Sequence, residues 1–146
     1  MLRPYREDFF AAFADELKAI GKPAMRILEL GSGPGFLAHH LLSKIPGAQL
    51  TLLDYSAAMH ELRHKRYAAA LHAQVKGLLR AGGVYLVADH YFGEGAMQND
   101  QLYMSLDEQR FCLKSSGYEV TDVLIKGGRS LYCATCLASE SDALRR

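Results

Sequence analysis

The sequence predicts an α/β fold, an open sheet of about five strands, mostly parallel with an antiparallel C-terminal hairpin and with helices on both faces. Three observations predict it. Short apolar runs alternate with segments of helical periodicity. A glycine cluster, Gly31-Ser32-Gly33-Pro34-Gly35, separates the first apolar run from a helix. Two later runs are joined by Gly127-Gly128, a hairpin signal.

Each element has its own signature. Phe9, Phe10, Phe13, Leu17 and Ile20 recur at helical spacing, and Gly21 with Pro23 stops that helix. Met25 to Leu30 reads as a short buried strand, and Phe36 to Lys44 as a helix ended by Pro46-Gly47. Gln49 to Asp54 is the second strand; Leu50, Leu52 and Leu53 make it apolar on both faces, as a parallel strand under helices should be. Ala57 to Arg80 contains one breaker, Gly77, before Gly82-Gly83. Val84 to Ala88 is the third strand, with Asp89-His90 as its polar tail. Ser105-Leu106-Asp107-Glu108 has the capping-box pattern, so a helix opens there and runs to Gly117. Tyr118 to Lys126 and Arg129 to Ala138 form the closing hairpin.

Composition narrows the function classes. The 146 residues are 49% apolar and 23% charged, which excludes a disordered or collagen-like chain. Seventeen basic against sixteen acidic residues give a net charge of +1, so bulk charge points to neither nucleic acid nor a membrane surface. Three cysteines, Cys112, Cys133 and Cys136, make no disulfide framework, and a reducing cytoplasm is the expectation. No apolar run reaches transmembrane length, and Asp15, Glu16 and Lys18 break the N-terminal stretch that a signal peptide would need.

Chemistry concentrates at the glycine cluster. Glycines let the chain turn sharply and let a ligand approach the backbone, and the next helix aims its first amides at the loop. In an open α/β sheet this is the ligand edge. Asp54 ends the second strand, 19 residues after Gly35, where a carboxylate can accept hydrogen bonds from both hydroxyls of a ribose. A dinucleotide site needs G-x-G-x-x-G, and Phe36 occupies the third glycine's position, which disfavours a dinucleotide-dependent oxidoreductase.

The segment Glu29 to Gly35 resembles the first motif of class I S-adenosylmethionine-dependent methyltransferases, which have a Rossmann-like sheet. The similarity continues through Leu50 to Ser56 and resumes from Leu78 to Asp89, covering in all about residues 25–138. The resemblance implies one domain over residues 1–146, with an N-terminal helix 5–20, a cofactor-binding half 25–56 and a C-terminal half 66–138. It implies S-adenosyl-L-methionine as cofactor and methyl transfer to a small molecule. Gly31, Gly33 and Gly35 would line the methionine part, Glu29 would orient its amino group, Asp54 would hold the ribose and Tyr55 would cover the adenine. No metal is implied.

The family has two more strands between the positions of Asp54 and Val84. Here only 29 residues separate them, and they carry no strand signal. Read literally, residues 57–80 form one helix of 24 residues. Its length, about 36 Å, would overhang a strand of about 20 Å. His60-Glu61-Leu62 resembles the turn after the family's fourth strand, and Asp54 to Met59 the segment after the second. The two pieces read as joined near Met59-His60 by loss of about 30 residues. Lost cover would expose apolar surface and favour self-association. A non-catalytic remnant acting by association is therefore the alternative function.

For catalysis the sequence offers Asp89 and His90 at the ligand edge of the third strand; His90 suits general-base work near neutral pH. Tyr103 and Met104 fit a substrate wall. Cys133 and Cys136 point to opposite faces of a strand and form no metal pair. His39 and His40 lie about 100° apart on a helix and form no chelate. Arg63 to Arg66 reads as a solvated face rather than a nucleic-acid patch.

Overall fold

A computed structural model describes residues 4–31, 34–53 and 67–137, which fall into two compact units, residues 1–63 and 64–146. The elements are α1 (Arg6–Ile20), β1 (Arg26–Leu30), α2 (Phe36–Lys44), β2 (Gln49–Leu53), α3 (Ala68–Leu78), β3 (Val84–His90), α4 (Leu106–Ser115), β4 (Tyr118–Lys126) and β5 (Arg129–Cys136). Most boundaries lie within a residue or two of those the sequence predicts.

In the first unit β1 and β2 pair in parallel, from Arg26 with Gln49 to Leu30 with Leu53. Helix α1 buries Phe9, Ala14 and Leu17, and α2 buries Ala38 and Leu41. The two helices pack on each other, as their apolar stripes require. The expectation of a buried β1 and of a β2 covered on both faces fails: Leu28 is 42% exposed and Leu52 44%. Their register alternates, Leu28 beside Thr51 and Leu52 beside Glu29, so the two leucines emerge on opposite faces.

In the second unit the strand order is β3-β5-β4, and β5 runs antiparallel to both neighbours. The hairpin turns at Gly127 and Gly128, both with positive φ. A register shift between Asp122 and Leu124 adds a bulge to β4. The core gathers Leu113, Tyr118, Tyr132 and Ala134, flanked by Tyr85, Val87, Leu106 and Val120. Helix α4 starts as predicted: Ser105 Oγ accepts from Glu108 N at 3.2 Å, and Glu108 Oε1 from Ser105 N at 3.3 Å.

Two expectations are corrected. The described strands form a parallel pair and an antiparallel triplet, not one five-stranded, mostly parallel sheet. Residues 67–83 hold a helix and a turn, so no described strand lies between β2 and β3 in sequence to extend a parallel ladder. And Asp89-His90 is not a tail: both residues belong to β3, paired with Ser130 and Arg129. The proposed junction near Met59-His60 and the long helix's first half lie outside the described residues.

One surface contact yields a modest prediction. Arg110 grips Asp122 with two hydrogen bonds, 3.0 and 2.8 Å, and reaches Asp107 at 3.1 Å. The pair ties α4 to β4 and holds the Asp122 carboxyl below the usual range through the Arg110 hydrogen bond. Exposed pairs contribute little, so Arg110→Ala should cost about 1 kcal/mol or less in urea unfolding, and less still in high salt.

Candidate functional site

In the first unit the site begins where β1 stops. Gly31, with φ 73°, turns the chain out of the strand, and its N–H donates to Leu53 O at 2.7 Å. That bond fixes the loop's start to the end of β2. Gly35, with φ 86°, opens α2, and His39 N closes the first helical turn on Gly35 O at 2.9 Å. A left-handed φ at both positions is what glycine supplies without strain. The first turn of α2 has no acidic residue to offset its positive end.

Glu29 sits one residue from the end of β1, half-buried. Its Oε2 is buried with no hydrogen-bond partner among the described residues. Burial raises the carboxyl above its ordinary value. An unpaired carboxylate beside a glycine turn is costly alone and is satisfied by a cationic donor. The residues present therefore fit a ligand that brings an amino group to the end of β1. Gly33, Asp54 and Tyr55 lie outside the described residues. Beside the loop's far end, the Arg6 guanidinium lies 5.1 Å from the Phe36 ring centre and 5.6 Å from that of Phe10.

In the second unit Asp89 and His90 close β3. Asp89 Oδ1 accepts from the His90 N–H at 2.7 Å, so the carboxylate braces the backbone that carries the imidazole. The His90 ring meets Tyr103 edge-on, 6.3 Å between centres and 73° between planes. The loop from Tyr91 to Met104 folds back on itself: Phe92 N donates to Met104 O at 2.9 Å, and Met97 N to Tyr91 O at 3.0 Å. Tyr103 and Met104 are half-buried there.

Sequence reasoning missed two buried polar groups. His72 Nδ1 lies 3.0 Å from the Tyr85 hydroxyl, and burial lowers its pKa to about 4. Gln109 is buried among Ser130, Tyr132 and the His90 carbonyl. The spacing Leu106, Gln109, Leu113 was a usable signal, a lone amide on an apolar helical stripe.

No protein-family model and no curated protein matches the chain. Solved structures do. An O-methyltransferase family protein from Burkholderia thailandensis superimposes with a TM-score of 0.67 at 12% identity, covering 92% of this chain and 57% of that one. CalO1, a methyltransferase in calicheamicin biosynthesis solved in its SAH-bound form, gives 0.62 at 15% identity, covering 91% and 56%. Human N-acetylserotonin methyltransferase in complex with SAM gives 0.61 at 15% identity, covering 88% and 55%. The likeness defines the class: a methyltransferase-like α/β fold. The chain spans little more than half the length of each of these proteins.

Proposed function

We propose that the chain binds S-adenosyl-L-methionine and transfers its methyl group to a small-molecule acceptor. The observation that carries this reading is Glu29, a buried carboxylate oxygen without a hydrogen-bond partner among the described residues, at a glycine turn between β1 and α2. The fold it shares with methyltransferases that were solved with SAM or SAH supports the same cofactor. When bound, the cofactor supplies a methyl group already activated on a sulfonium, so the protein's work is to bind and orient.

Each residue has a role in that reading. Glu29 pairs with the amino group, while Gly31, Gly33 and Gly35 leave the backbone open to the methionine part. Asp54 accepts from the ribose hydroxyls and Tyr55 covers the adenine. In the second unit, an imidazole nitrogen of His90 takes the proton from an acceptor that carries one. Asp89 is the second catalytic candidate, and its Oδ1 also braces the His90 backbone by accepting from the His90 amide. The fold's short passage between β2 and β3 supports a lost segment of about 30 residues.

Calorimetric titration with S-adenosylhomocysteine tests the reading. Binding is expected, weakened about ten- to a hundredfold in Glu29→Gln, the worth of one charge-assisted hydrogen bond. Asp54→Ala should weaken it too. A folded wild-type chain that evolves no heat would instead favour the non-catalytic remnant.

A further inference from the structure

We propose that Gln109 is a positioning residue: its side-chain amide fixes the end of β3 and so sets the His90 imidazole against Tyr103. As a statement about a reaction this rests on the methyl-transfer reading; as a statement about His90 it does not.

Gln109 is 5% exposed and joins three elements. Its Nε2 donates to His90 O at 2.9 Å. Its Oε1 accepts from Ser130 Oγ at 2.8 Å and from the Tyr132 hydroxyl at 2.8 Å. Both lone pairs of the amide oxygen are used, and the carbonyl of His90, which can only accept, fixes which way the amide points. Ser130 Oγ also lies 3.2 Å from Asp89 O. The network thus touches the backbone of both residues at the end of β3.

Packing alone does not call for an amide here. Gln109 lies on the stripe with Leu106 and Leu113, where a leucine would avoid the cost of burying polar atoms. What the amide adds is a hold on a carbonyl at the last pair of the β3–β5 ladder, His90 with Arg129. The chain leaves that point as the loop that carries Tyr103. The capping box sets where α4 begins, and Gln109 N donates to Ser105 O at 2.9 Å in its first turn. The helix start therefore dictates where the amide lands. The titratable and charged groups around it are Asp89 and His90 on β3, Tyr132 and Arg129 on β5, Asp122 on β4, and Asp107 and Arg110 on α4, the Arg110 guanidinium lying 6.0 Å from the Tyr132 ring. Burial pushes the Tyr132 hydroxyl up, so it remains a donor in mildly alkaline solution.

Gln109→Glu separates positioning from packing. A neutral carboxyl reproduces the donor and the acceptor of the amide; a carboxylate opposes the His90 carbonyl. The readouts are the nuclear Overhauser contact between the His90 and Tyr103 rings and the exchange protection of the Phe92 amide. In Gln109→Glu both should match wild type at about pH 5. At about pH 8.5 the ring contact should vanish and protection fall at least about tenfold, beyond any change that wild type shows over the same range. Tyr132→Phe, which keeps the ring but removes one donor to Gln109, should weaken the contact at every pH. The proposal is overturned if the contact survives at high pH in Gln109→Glu, if it is lost equally at both pH values, or if Tyr132→Phe leaves it unchanged. Titrating wild type with S-adenosylhomocysteine keeps the two readings apart. If wild type binds none while Gln109→Glu shows the pH-gated contact, the positioning role is supported and methyl transfer is retired.

Discussion

Tyr118→Ala should destabilise the second unit by about 3–5 kcal/mol, the range for deleting a fully buried aromatic side chain. Tyr118 is 1% exposed in the middle of the core cluster. Its ring lies 5.6 Å from that of Tyr85, and its hydroxyl donates to His72 O at 2.7 Å. The truncation removes the packing and the hydroxyl's bond to the helix carbonyl at once. Tyr118→Phe keeps the ring and loses only the hydrogen bond, so it should cost about 1–2 kcal/mol. Urea unfolding of the three chains measures both. A cost for Tyr118→Ala no larger than that for Tyr118→Phe would mean that the cluster is not the unit's core.

Acid should unfold the same unit through His72. Burial holds its imidazole neutral, with a pKa of about 4 against an ordinary 6.5. The folded value is the lower one, so the stabilisation is fully present above pH 6.5 and is lost as pH falls through about 4. The shift corresponds to a contribution on the order of 3 kcal/mol at most. His72→Gln can still bond to the Tyr85 hydroxyl but does not titrate in this range. Its stability should therefore fall less steeply between about pH 6.5 and pH 4 than that of wild type. Parallel pH–stability curves for the two chains would sink the assignment.

The two units differ in how much of them the sequence revealed. Local signals were read well because local physics decides them. Ser105 and Glu108 cap α4 as their spacing requires, Gly127-Gly128 turns the hairpin, and positive φ falls at Gly31 and Gly35. Pairing between distant residues was not legible. Nothing in the run Arg129 to Cys136 says that it lies between β3 and β4, because a strand buried on both sides and a strand at the end of a sheet can share one composition. Treating Asp89-His90 as a tail had the same origin: polarity signalled a strand's end, whereas the ladder to Ser130 and Arg129 carries both residues into the sheet. Glu29 stood out in the sequence by its place before the glycines, and its Oε2 is buried with no hydrogen-bond partner among the described residues. Gln109 was not, since its partners are 19 to 23 residues away in sequence and come from two different strands.

The place of β5 has a consequence for how the chain comes into being. It is the last of the described strands to leave the ribosome, yet β3 and β4 each depend on it for their pairing. Leu131, Tyr132 and Ala134, which fill the interior, arrive with it. Until then the second unit has a capped helix and two strands without their common partner. Its ordering waits for β5 to emerge and must close contacts between positions as far apart as 84 and 135. Such closure is slow, and nascent chains stalled before Arg129 would expose sticky edges to one another.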